Sequence, residues 1–148
     1  MKYILAITTS FLLLLLGTPP VFAQGAGIEW EILNQEVTEL YRTGKYDRAV
    51  VVAKKALEVA EKNVGPNHPD VGTSLNNLAL LYNTQGQYAQ AEPLYKRALA
   101  IREKALGPDH PSVATSLENL AALYRTTKRE EEAKTLEQRA ARIRAIQR

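Results

Sequence analysis

Cysteine is absent from the 148 residues. Its absence excludes a disulfide framework, a thiolate zinc site, a cysteine nucleophile and the cysteine that bacterial lipoproteins need for lipidation. Large apolar side chains are scarce as well. Phe11, Phe22 and Met1 all fall within the first 23 residues, which leaves Trp30 and six tyrosines as the aromatics of residues 24–148. Leu, Ala, Val, Ile and Tyr must therefore build any core. An excess of one charge is also missing. With Lys2 set aside, 18 basic residues face 16 acidic ones over residues 24–148, too even a balance to suggest a nucleic-acid partner. A chain of this length has room for one small domain.

One long apolar run is present. Met1-Lys2 gives a short positive start, Ile4 to Leu16 is apolar and ends in five leucines, and Gly17-Thr18-Pro19-Pro20 breaks any helix before Val21-Phe22-Ala23. That order of parts resembles a bacterial secretory signal peptide over residues 1–23, with cleavage expected between Ala23 and Gln24. The run is shorter than the roughly 20 residues a membrane-spanning helix needs. The expected mature chain runs over residues 24–148, keeps no stable membrane span, and works as an exported protein in the periplasm or outside the cell.

The remainder repeats. Gly65-Pro66-Asn67-His68-Pro69 returns as Gly107-Pro108-Asp109-His110-Pro111, an offset of 42 residues. At that offset Leu75, Asn77, Leu78, Ala79, Leu81 and Tyr82 are identical to Leu117, Asn119, Leu120, Ala121, Leu123 and Tyr124. Running backwards, Gly86, Tyr88, Ala91, Ala98 and Leu99 match Gly44, Tyr46, Ala49, Ala56 and Leu57. Three units result, at about 28–64, 65–106 and 107–148. Within the middle unit Leu75, Leu78, Ala79 and Tyr82 share one helical stripe, helix A. Gln85-Gly86-Gln87 interrupts it, and Tyr88, Ala91, Tyr95, Ala98 and Leu99 build helix B. Gly107-Pro108 stops helix B, and Pro111 suits the first turn of the next helix A. No useful length alternates with period two, so the fold class is all-α.

Leu75, Leu78-Ala79, Tyr82, Gly86, Tyr88, Ala91, Tyr95 and Ala98 together resemble the tetratricopeptide repeat signature. The 42-residue period and the Gly-Pro-x-His-Pro linker are similar to the kinesin-light-chain subtype, common in bacteria. This resemblance implies a short right-handed α-solenoid of three helix-turn-helix repeats, six antiparallel helices, whose role is protein–protein interaction. Departures are informative. In the first unit Leu40 replaces the helix-A tyrosine, with Tyr41 one residue on, and Ala53 replaces the helix-B tyrosine, so Trp30 and Ile28 are expected to add cover. In the third, Gly86, Tyr88 and Tyr95 become Lys128, Glu130 and Glu137, the wetter surface of a capping element, with Ala133, Leu136, Ala140, Ile143 and Ile146 kept on one face.

No constellation for catalysis stands out. His68 and His110 occupy equivalent linker positions and read as caps of helix A or as packing on the next proline. Neither has the neighbouring ligands a metal would need, so no metal site and no cofactor are expected. The glycines form neither a G-x-x-x-x-G-K nor a G-x-G-x-x-G arrangement. The chain is read as a non-enzyme. Arg139, Arg142, Arg144 and Arg148 spread around the last helix instead of forming one basic stripe.

The groove remains. In the family resembled, stacked A helices line the concave face, which implies partner-contacting positions opposite the core stripe. By the repeat offset these are Glu31, Asn34, Thr38 and Tyr41, then Thr73, Asn76, Leu80 and Asn83, then Thr115, Glu118, Ala122 and Arg125, with Asn77 and Asn119 beside them. Amides there suit the backbone of an extended peptide, and Tyr41 and Leu80 suit apolar contact. The expected partner is a protein or peptide segment. The alternative is a self-associating envelope protein, a homo-oligomer with no separate ligand.

Overall fold

The computed structural model describes residues 21–147, and side chains from Gly27 onward. The leader residues 1–20 and Arg148 lie outside the described residues, and Ala23 and Gln24 fall in the first turn of the first helix. Six helices and no strand occupy the described chain: α1 (Val21–Arg42), α2 (Tyr46–Val64), α3 (Pro69–Thr84), α4 (Tyr88–Leu106), α5 (Pro111–Thr126) and α6 (Glu130–Ile146). Neighbours in sequence are neighbours in space, so the hairpins α1/α2, α3/α4 and α5/α6 stack in chain order, and α3 also touches α1 and α5.

Local chemistry sets each boundary. Helices α1, α3 and α5 end in the same motif, in which residue 44, 86 or 128 takes positive φ. At the middle turn Gly86 N–H donates to the Asn83 carbonyl and Gln87 N–H to the Tyr82 carbonyl, which satisfies two carbonyls the helix would leave open. Glycine supplies that conformation without strain at 44 and 86, whereas Lys128 adopts it at φ 61° with a side chain. At the other end of each unit Gly65 and Gly107 close helix B. His68 and His110 then cap helix A as expected. Their Nδ1 atoms accept from the backbone N–H of Asp70 at 3.2 Å and of Ser112 at 3.1 Å. Pro69 and Pro111 sit immediately after, where a missing N–H leaves nothing unpaired.

Small residues let helices A and B approach, and larger ones fill between hairpins. Ala79, Ala91, Ala98 and Ala133 have no exposed surface, and Tyr82, Tyr95 and Tyr124 are buried in the core. Burial, with Tyr41 nearby, pushes the Tyr95 phenol above its ordinary range. Trp30 covers the first junction as expected, its Nε1 donating to Ser74 Oγ at 2.8 Å. Ile28 does not, being 57% exposed. On α6 the buried face ends at Ile143, because Ile146 is 66% exposed.

The repeat offset also shows how the stack ends. Buried Val71, Leu78 and Leu81 of α3, and buried Val113, Leu120 and Leu123 of α5, correspond to exposed Glu29, Glu36 and Glu39 of α1. A polar outer face thus caps the first unit as well as the third.

Candidate functional site

Helices α1, α3 and α5 run side by side and bring most of the implied groove positions together. Two side-chain amide pairs tie them: Asn77 Nδ2 donates to Asn34 Oδ1 at 3.0 Å, and Asn119 Nδ2 donates to Asn76 Oδ1 at 2.9 Å. Asn34 also donates to the Trp30 carbonyl. Asn76 therefore departs from the expectation of an open groove amide. It is buried, and its oxygen belongs to the α3/α5 joint. Asn34, Asn77 and Asn119 are half-buried.

Thr38 is exposed and donates back to the Asn34 carbonyl, and Thr73 and Thr115 donate likewise to Pro69 and Pro111. Such local bonds hold each threonine on its own helix. Tyr41 packs edge-on against Tyr46, with ring centroids 5.6 Å apart, and its hydroxyl accepts from Thr84 Oγ1 at 3.5 Å. Leu80 lies opposite. Between them opens a pocket of ≈ 130 Å³ lined by Val37, Thr38, Tyr41, Asn77, Leu80 and Leu81. Val37 and Leu81 were not legible as groove residues, because their spacing assigns them to the core, which they also serve. One turn beyond Leu80, Asn83 Oδ1 is buried and accepts no hydrogen bond from any described residue.

The third unit differs. Glu118 accepts from Arg144 Nε and Nη2 at 3.1 and 2.9 Å, and Arg144 also reaches Thr115 Oγ1. Arg125 is held by Glu137 at 2.5 Å and by Glu130 at 2.8 Å, which keeps the Glu137 carboxyl below the usual range. The structure thus places Thr115, Glu118 and Arg125 in contact with charged side chains, at the edge where a further A helix would otherwise lie. The charges of Glu118 and Arg125 are already met. Of the remaining arginines, Arg139 pairs with Glu103 of α4, and Arg142 is exposed.

Beyond the groove, Arg102 is buried, donates to Ser116 Oγ at 2.7 Å, and is held below its ordinary value by desolvation. Sequence reasoning missed it, since arginine is normally exposed. No group of three or more metal-ligating side chains occurs among the described residues, and no described helix is long and apolar enough to cross a membrane.

A family model described as tetratricopeptide repeat matches residues 39–104 and 76–145. Among solved structures, BtubC (BKLC) from P. vanneervenii superposes with a TM-score of 0.74 at 28% identity, covering 84% of this chain and 52% of that one. The nearly identical kinesin-light-chain TPR-like repeats of Podosopora anserina give 0.69 at 25% identity, covering 83% and 56%. Among curated proteins, the secreted RxLR effector protein RXLR-C07 of Plasmopara halstedii is 39% identical over 64 residues, 43% of this chain and 20% of that protein. The chain thus spans about half of these structural relatives and a fifth of the curated one. Matching the family model over most of its described length and folding as stacked helical hairpins, this chain belongs to the tetratricopeptide repeat family.

Proposed function

We propose that the chain is an exported, bacterial interaction module that holds a peptide segment of a partner protein on the face shared by α1, α3 and α5. One observation carries this reading: an open pocket at the α1/α3 joint, where Thr38, Tyr41, Asn77 and Leu80 meet. Family membership supports a protein partner in general. Export is supported by the leader of residues 1–23, and the Plasmopara halstedii relative is itself named as secreted. A surface of three repeats is small, so an affinity near micromolar, about −8 kcal/mol, is expected. Stacking of copies end to end in repeat geometry is disfavoured by polar outer faces at both ends, Glu29, Glu36 and Glu39 on the first unit and the Glu118–Arg144 and Arg125–Glu130–Glu137 ion pairs at the third.

A photo-crosslinking residue placed at Thr38 or Ala122 of the full chain, in the cells that make it, tests the reading. Both positions should attach to one segment of the same partner, whereas the same residue at Val51, exposed on α2, should not. Adducts formed equally from Val51, or only with a second copy of the chain, would overturn it. The N-terminus of the isolated product, expected at Gln24, tests export in the same sample.

A further inference from the structure

We infer that a pocket between α2 and the α3/α4 turn binds a carboxylate of a partner protein, from an acidic side chain or a chain end, in the place that Glu92 fills at the next junction. This site lies outside the face shared by α1, α3 and α5, and it does not depend on the groove reading. The pocket has a volume of ≈ 250 Å³ and opens to solvent along exposed Lys54, Gln87 and Gln90, with buried Val50 and Tyr82 as its floor. Cavities of about 150 Å³ hold one benzene-sized group, so an acidic side chain enters with room for water.

The chain carries its own template for such a ligand. Helices α2 and α4 are equal in length and start one repeat apart, as do α3 and α5, so each residue of the pocket has a counterpart 42 positions on. At the second junction Glu92 accepts from Lys96 Nζ at 2.7 Å, from Arg129 Nη1 at 2.9 Å and from the Tyr124 hydroxyl at 3.1 Å. Lys54 and Tyr82 keep two of these three donors at the first junction, whereas Val50 stands where Glu92 would. The donors remain and the carboxylate is missing. Lys54 Nζ lies 6.0 Å from the centre of the Tyr82 ring and forms no ion pair with any described residue. Gln87 replaces Arg129, and its oxygen accepts from Gln90 Nε2 at 3.0 Å, which leaves its own Nε2 as a donor. One cation and two neutral donors thus surround the vacant place, and the bond from Lys54, charged on both sides, is the strongest of the three. The opposing charge is Asp47, which accepts from Gln85 Nε2 at 2.7 Å. It precedes Lys54 by two helical turns, about 10 Å along the axis, roughly the Debye length at 0.1 M salt. Asp47 therefore weakens the site without filling it.

Nuclear magnetic resonance of the isotope-labelled full chain at neutral pH, where carboxyl groups are ionised, tests this with three acetylated tetrapeptides. The first is Gly-Gly-Glu-Gly with an amidated end, the second Gly-Gly-Gly-Gly with a free carboxylate, and the third amidated Gly-Gly-Gln-Gly, which carries neither. The side-chain amides of Gln87 and Gln90 should shift saturably with a carboxylate peptide and not with the third, and the tighter of the first two names the source of the group. Lys54→Gln should weaken binding at least about tenfold. Asp47→Asn should strengthen it, because the opposing charge goes while an acceptor for Gln85 stays. Val50→Glu should abolish it with helicity retained, since the new carboxylate fills the site as Glu92 does. Equal shifts with the Gln peptide or with sodium chloride, no shift with any of the three, or binding indifferent to Lys54→Gln would overturn this inference and leave the groove reading to its own crosslinking test.

Discussion

Individual residues hold the ends of these helices. Histidine is an unusual N-cap, and it works here because Nδ1 is turned towards the backbone N–H two residues on. Only an unprotonated Nδ1 can accept that bond. Replacing His110 by Ala should lower stability by about 1 kcal/mol, whereas His110→Asn, which restores a capping oxygen, should recover most of it. Urea unfolding of the two variants separates a capping role from mere packing on Pro111, since packing would be lost in both. At the opposite end of a helix, Lys128 carries the left-handed conformation that glycine provides at 44 and 86. Lys128→Gly should therefore raise stability by about 1 kcal/mol, less what the freer unfolded chain takes back. A lower urea midpoint would show that the lysine side chain contributes more than its backbone strain removes. Both features were legible in sequence, because the repeat offset lines His68 up with His110 and Gly86 with Lys128.

At the scale of elements, what the offset conveys is angle around a helix, not how near the next helix comes. Asn76 shows the difference. Its place on α3 was readable, yet α5 approaches closely enough for Asn119 to bond it and bury it. The partner lies 43 residues on, one more than the repeat, so the bond joins two non-equivalent positions and identical spacing does not reveal it. The core, by contrast, was almost wholly legible, since the stripe of Leu75, Leu78, Ala79 and Tyr82 follows from spacing along a single helix. Capping of the first unit is equally legible, because the offset sets Glu29, Glu36 and Glu39 in the places of Val71, Leu78 and Leu81. A double-mutant cycle on Asn76→Ala and Asn119→Ala should give a coupling of about 0.5–1.5 kcal/mol without any partner present. Zero coupling would mean the amides do not stabilise the α3/α5 joint. Helix α4 offers a second test. Pro93 has no N–H to donate to the carbonyl four residues before it, and it is exposed, so Pro93→Ala should raise the unfolding midpoint.

Across the whole molecule, the two junctions between hairpins are built differently. The first relies on neutral contacts, Trp30 with Ser74 and Asn34 with Asn77, alongside the Arg97–Glu61 ion pair between α2 and α4. The second repeats that ion pair as Arg139–Glu103 and adds a cluster in which Glu92 of α4 meets Lys96, Arg129 and Tyr124, with the Arg129 guanidinium 3.8 Å above the Tyr124 ring. Lys96 first, then Arg129 and Tyr124, hold the Glu92 carboxyl below its ordinary 4.5, against the opposing effect of burial. A carboxyl whose folded value is depressed contributes stability that is present above the unfolded value and lost as pH falls through the folded one. Acid should therefore loosen α5/α6 from α3/α4 below about pH 4.5, before it disturbs the junction at Trp30. Trp30 is the one tryptophan of the chain, so its fluorescence reports the first junction alone. Helicity measured by circular dichroism should begin to fall at a higher pH than the Trp30 signal changes, and Glu92→Gln should bring the two transitions closer together by weakening the second junction at neutral pH less than it blunts the acid step. If the two signals coincide in the unaltered protein, the three hairpins unfold as one unit and the Glu92 cluster does not set the order in which the stack opens.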